Sequence, residues 1–336
     1  MRSYLPYLGQ RLLILVATII ISMTIVFLVP RLVPGDPMGA ILAKLSAVGA
    51  GRGNEALIKE YSERFGLNKP IPQQYVDFLV QLAQGNLGYS IAAFPARVSD
   101  MIMAALPWTI GLLAVTTVLS WIIGSVLGAL VGWRETASVP LRAFVVLALI
   151  AYTTPYYILA IILLFIFAFL IPIFPLAGAF DVGVKPALTL SFAANVIEHA
   201  ALPALSIVLV SLGWWFLSMR SLITSLKGED YILWAQAKGL SPNRILWSYA
   251  FRNALLPQAT GLALSLGYLV GGALVTEVIF GYPGVGYLIF NSIKGLDYPV
   301  IQGSVLLIII SVAVTNFLLD MIYPLLDPRI QEQAGG

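Results

Sequence analysis

Within residues 229–257, EDYILWAQAKGLSPNRILWSYAFRNALLP, three cations, Lys238, Arg244 and Arg252, are interleaved with Trp234, Trp247 and Tyr249. The cations supply charge-assisted donors and the aromatic rings supply rigid contact area, a combination with which one protein anchors in a groove of another. The local pattern predicts a helix, a tight turn and a second helix. Asp230 is placed to cap the first helix. Lys238 and Gly239 mark its end, because glycine accepts the left-handed conformation that closes a helix. Ser241 as N-cap and Pro242 at the first helical position open the second helix, where the missing proline N–H costs nothing. Asn253 lies further along this stretch and Pro257 ends it. The same residues also suit an ordinary interhelical loop whose Arg and Trp side chains rest among lipid headgroups.

Other residues capable of chemistry are sparse. The chain has one histidine, His199, and no cysteine, so a disulfide framework or a metal centre of the usual nitrogen or sulfur type is not expected. Acid–base hydrolysis would depend on His199, around which no nucleophile stands at a recognisable spacing, and no catalytic residue is assigned. The chain contains no Gly-Lys pair, so the phosphate loop G-x-x-x-x-G-K-[ST] is absent and any ATP hydrolysis falls to other subunits. GYPGVG at 281–286 lacks that lysine and reads as a turn leaving an apolar span. Two acidic residues, Glu277 and Asp320, are expected within about one helical turn of a membrane interface, where snorkelling or a salt bridge accounts for them. Helix packing is the first role expected of Glu277, which is also the one weak candidate on a substrate pathway.

The elements that must carry these residues follow from composition. Hydrophobic residues make up 59% of the chain and charged ones 10%, against about 25% charged in a soluble domain. Together with a mean hydropathy of +0.91, this predicts an all-α integral membrane protein. Requiring about 20 residues without charge places six transmembrane helices near 12–29, 107–131, 143–171, 201–217, 259–280 and 305–319. The first run is longer than a signal-peptide core and ends in LVPRLVPGDP without a small-residue cleavage pattern, so it is expected to be retained. Arg2 and Arg11, Arg134 and Arg142, the cations from Arg220 through Arg252, and Arg329 put four segments on the cytoplasmic side, both termini included.

The expected organisation is an N-terminus with the first helix (1–30), a small extracytoplasmic segment (31–106), a transmembrane core (107–328) that includes the cytoplasmic loop 220–257, and a cytoplasmic tail (329–336). The 31–106 segment, whose charges nearly balance, is predicted to hold short amphipathic helices at 56–65 and 73–82 around a turn at 68–72. A net charge of +3 with no dense basic run gives no support to nucleic-acid binding.

The 229–257 stretch closely resembles the EAA motif of bacterial ABC importer permeases, with small residues at Ala235 and Ala237, the glycine at Gly239 and the proline at Pro257. The position usually occupied by Glu is Leu233, so no role of that carboxylate carries over. PGDP (34–37), FGLNKPIPQQY (65–75), GNLGYS (85–90), TEVIFGYPGVGYL (276–288), DYPVIQG (297–303) and LLDPRI (325–330) extend the likeness over nearly the whole chain. In this order they resemble the permease subunits of the dipeptide, oligopeptide and nickel class, specifically the one of the pair with the longer extracytoplasmic segment.

The resemblance implies a type I importer core in a prokaryotic cytoplasmic membrane, a homologous second permease subunit, an extracytoplasmic substrate-binding protein, and two ATPase subunits that use ATP and Mg. It implies no cofactor on this chain. It also implies that Asp230, Ala235, Ala237, Lys238, Gly239, Ser241, Arg244, Arg252, Asn253 and Pro257 form the element that couples to an ATPase, the alanines permitting its close approach. Peptides are the substrate implied first and oligosaccharides second. Nickel is the weakest, because the chain offers almost no imidazole and no thiolate. An ion-coupled secondary transporter would need acidic or histidine residues within its spans and often shows inverted repeats, neither of which is evident. A membrane scaffold or channel subunit completes the alternatives.

Overall fold

The computed structural model describes residues 4–32, 66, 68–134, 139–267, 269 and 273–326. Its elements are α1 Tyr4–Leu32, α2 Ile71–Ala83, α3 Val98–Trp133, α4 Val139–Thr153, α5 Tyr156–Leu164, α6 Leu190–Leu226, α7 Asp230–Ala237, α8 Pro242–Ile245, α9 Phe251–Gly267, α10 Leu274–Ile279, α11 Val285–Lys294 and α12 Tyr298–Leu326. Wider π-helical turns, Phe165–Leu170 and Leu246–Ala250, extend α5 and join α8 to α9. Among the described residues the only extended pairing is an isolated bridge between Tyr89 and Arg97.

Four of these helices, α1, α3, α6 and α12, are long and apolar enough to cross a bilayer, and a fifth span results if α4 and α5 count as one. The predicted third span, 143–171, is not straight. It bends by 101° between α4 and α5, where Pro155 lacks the N–H that would continue the helix and disfavours a helical Thr154 before it. The predicted fourth span is the middle of α6, whose 37 residues are preceded by the N-cap Thr189, its side chain accepting from Phe192 N. The predicted fifth is divided between α9 and α10 and lies only partly within the described residues. The amphipathic helix expected at 73–82 is α2, with Pro72 in its first turn. The helix expected at 56–65, the PGDP segment, Arg2 and the tail with Arg329 lie outside the described residues.

The chain divides into two compact units, the first comprising Met1–Trp108, Val270–Leu274 and Gly284–Gly336, the second Thr109–Leu269 and Val275–Pro283. In the first, α1 runs along α12, and Arg11 pairs with Asp320 at 3.2 Å, so the acidic residue near the end of the last span forms a salt bridge. Tyr7 OH donates to the Asp320 carbonyl at 3.0 Å. Helix α2 closes over α1 through Phe27, which is fully buried against Tyr75 and Phe78 with ring centroids 5.1 and 5.5 Å away.

Asp297, immediately before α12 and 2% exposed, accepts from Ser90 Oγ, from Ile91 N at 3.0 Å and from Ala92 N at 3.1 Å. It therefore ties the GNLGYS loop to DYPVIQG. Asp297→Ala would leave two backbone donors without an acceptor, at about 1–3 kcal/mol each. The expected result is rapid limited proteolysis at 88–97 while the remainder of the chain keeps wild-type resistance; unchanged cleavage there would refute the tie.

In the second unit, α3 and α6 approach backbone to backbone. Gly124, Gly128 and Gly132 recur every four residues and so line one face of α3. A Cβ at Gly124 would lie 2.6 Å from Trp215 Cβ, one at Gly132 would lie 2.8 Å from the Arg220 carbonyl, and one at Gly128 would strike the Phe216 carbonyl. Gly213 does the same for the opposite neighbour, its hypothetical Cβ standing 2.6 Å from the Ala148 carbonyl of α4. Helix α6 is thus clamped between α3 and α4 by missing side chains rather than by large ones.

Candidate functional site

The polar stretch after α6 folds as two short helices around a closed turn. Glu229, with extended backbone (φ −73°, ψ 140°), is the N-cap of α7, not Asp230 as the sequence suggested. Asp230 occupies the first turn, where its charge complements the helix N-terminus. No side-chain bond caps this helix, and the Glu229 carbonyl receives Ile232 N and Leu233 N at 2.9 and 3.2 Å.

The end of α7 is a Schellman closure: Gly239 N donates to Gln236 O at 2.8 Å and Leu240 N to Ala235 O at 3.3 Å, with Gly239 at φ +75°. Ser241 is the next N-cap through its backbone, its carbonyl accepting from Ile245 N at 3.0 Å, and Pro242 follows inside the helix. Pro257 lies within α9 and does not end it. A proline removes only one backbone donor, and neighbours in a packed helix can accommodate the loss.

This element has two faces. Ile232, Ala235, Ile245, Leu246, Ala250 and Ala254 turn inward onto Ala129 of α3 and Met219 and Ile223 of α6. Outward lie Ala237, Lys238, Gly239, Ser241, Arg244, Arg252, Asn253 and Pro257. Ala235 is 4% exposed, so its small side chain serves packing within the chain and presents nothing to a partner, contrary to the expectation from sequence. Two outward residues were overlooked as a pair: Leu233 and Trp234, 50% and 69% exposed. Their signal was an apolar pair lying between positions 232 and 235, where the helical period turns residues away from the packed face. Among the described residues no ion pair engages Lys238, Arg244 or Arg252.

Glu277 departs from the snorkelling reading. It is fully buried and accepts from Thr109 Oγ1 at 2.7 Å, so it does not snorkel. The bond joins α10 to α3 within the second unit, the kind of contact expected of a residue in helix packing. GYPGVG begins with a turn closed by Tyr282 N donating to Glu277 O at 2.8 Å and by Gly281 at φ +55°. His199 is buried, its Nδ1–H donating to Asn195 O at 2.9 Å, with Nε2 3.6 Å from Asp181. Among the described residues no group of three or more ligating side chains could hold a metal.

Long apolar helices packed through glycine contacts make this a multi-pass membrane protein. Residues 123–332 match the family described as the binding-protein-dependent transport system inner membrane component. The chain is 31% identical to a di/tripeptide transport system permease protein of Pseudomonas aeruginosa over 98% of this chain and 99% of the relative. It is 32% identical to a glutathione transport system permease protein of Pectobacterium atrosepticum, over 97% and 99% of the two chains. An oligopeptide transport system permease protein of Bacillus subtilis is also 32% identical, over 93% and 95%. The chain therefore belongs to that family and is a permease subunit of an ABC importer, a non-enzymatic component whose ATPase is a separate subunit.

Proposed function

We propose that this permease and a homologous second subunit form the path by which oligopeptides, delivered by an extracytoplasmic binding protein, cross a prokaryotic cytoplasmic membrane. Two cytoplasmic ATPase subunits, which bind the ATP and Mg, drive the cycle, and both termini of this chain face them. The peptide assignment is supported by the peptide, oligopeptide and glutathione systems of its relatives.

The observation that carries the coupling assignment is the two-faced α7–α8 element. Its inward face is continuous with α3 and α6 through Ala129, Met219 and Ile223, so a push on the exposed Leu233, Trp234, Ala237 and Lys238 reaches the membrane helices through packed contacts. ATP closes the ATPase dimer, the docked helices follow, and the path opens toward the binding protein. ATP can drive this only because it binds one conformation in preference to the other.

The absence of native cysteine gives a direct test. Ala237→Cys in the assembled complex is expected to cross-link to a cysteine placed in an ATPase groove, with a yield that changes when ATP is bound. A complex in which Cys at 237 labels freely with a water-soluble maleimide whether or not the ATPases are present would defeat the assignment.

A further inference from the structure

Arg31, in the last turn of α1, is a cation with no carboxylate partner among the described residues. Its Nε and Nη2 donate to Gln74 Oε1 at 3.2 and 3.0 Å, its Nη1 donates to Phe27 O at 2.8 Å, and its central carbon lies 3.7 Å from the Phe27 ring centroid. A guanidinium has five N–H groups. Counted against these three bonds, one N–H on Nη1 and one on Nη2 remain for an acceptor, and a carboxylate can engage a guanidinium with both oxygens.

Arg31 lines a cavity of about 460 Å³, within the roughly 300–1,000 Å³ of small-ligand sites. Gln302 of α12 lines it too, is 6% exposed, and its amide nitrogen has no hydrogen-bond partner among the described residues. A buried amide donor is almost always satisfied, so this one marks a place where an acceptor is wanting. On the wall stands Asp77, paired with Lys69 at 2.6 Å and half exposed, the one carboxylate that lines the cavity among the described residues. All of these residues belong to the first compact unit.

We propose that this cavity binds a short peptide by its terminal carboxylate. The Arg31 guanidinium takes both oxygens, the Gln302 amide, turned about its terminal bond, donates a third hydrogen bond, and Asp77 attracts the ammonium end. The site is a holding position beside the path, separate from the binding protein. It rests on the reading that peptides are the solute and that this end of α1 is extracytoplasmic.

The test uses the complete transporter in phosphatidylcholine nanodiscs without the binding protein, and measures binding of trialanine and of its C-terminal amide by saturation-transfer NMR. The acid is expected to bind at least about tenfold tighter than the amide, the worth of one charge-assisted bond pair. Arg31→Gln is expected to abolish that preference, Arg31→Lys to keep part of it, and Gln302→Leu to weaken the acid several-fold. Equal binding of acid and amide by the wild-type complex, which requires no variant to fold, overturns the proposal. So does a signal that appears only when phosphatidylglycerol is added and not with peptide, since the occupant would then be a lipid phosphate. Failure of the wild-type complex, with its binding protein, to take up peptide on ATP would overturn the import reading while leaving the binding result standing.

Discussion

Gly128→Ala is expected to lower the amount of folded protein in detergent extracts several-fold, although it adds a single methyl group. The added Cβ would collide with the Phe216 carbonyl and crowd Met219 Cβ at 3.0 Å, and neither a backbone oxygen nor a Cβ can swing aside as a side-chain tip can. Relief requires α3 to move away from α6. That would open the matching contacts at Gly124 and Gly132, so the whole face is disturbed together. Overpacking of this kind costs about 1–3 kcal/mol and occasionally more at one site, a large fraction of the 5–15 kcal/mol that keeps a domain folded.

Gly111→Ala in the same helix is the control: a Cβ there meets nothing within 4 Å, and alanine is the better helix former. The measurement is the monodisperse fraction of a fluorescently tagged chain on size exclusion. A wild-type peak for Gly128→Ala would show that the helices are not in backbone contact there.

That contact illustrates what the sequence did and did not disclose. The four-residue spacing of the glycines was present to be read, yet in a helix apolar on every side the hydrophobic period marks no face, so glycine is the only trace of the neighbour. Helix α1 and helix α12 were legible because length and apolarity alone specify a span. The bend at Pro155 was hidden inside an unbroken apolar run. The turn at Gly239 was legible because its signals, glycine after a short helix and then Ser-Pro, are local. Which alanine faces inward was not, since Ala235 and Ala237 differ only in what other helices bring against them. The burial of Glu277 was not legible for the same reason: the Thr109 hydroxyl that makes it tolerable lies 168 residues away in the chain. Arg31, counted from sequence among the charges of a long loop, turned out to close α1 and to bond with α2.

Gly239→Asp separates coupling from folding. At φ +75° a side chain strains the backbone by roughly 1–2 kcal/mol, and aspartate is among the residues that tolerate this region best. A Cβ at 239 would meet nothing within 4 Å, so no packing inside the chain resists it. The membrane is therefore expected to hold the variant at close to wild-type amounts. The harm falls on the outward surface, where a negative charge would stand beside Lys238 and near the end of a helix whose C-terminus already disfavours it. If that surface seats in an ATPase groove, binding-protein-dependent uptake should fall at least about tenfold, since coupling energies of 1–3 kcal/mol correspond to about 5–150-fold, while basal ATP hydrolysis by the partner subunits persists. Gly239→Asn keeps the tolerance for the left-handed turn without the charge and should retain most uptake, which distinguishes electrostatic exclusion from a distorted turn. Wild-type uptake by Gly239→Asp would remove the coupling role from this turn; loss of the variant from the membrane would instead make Gly239 a residue of the fold.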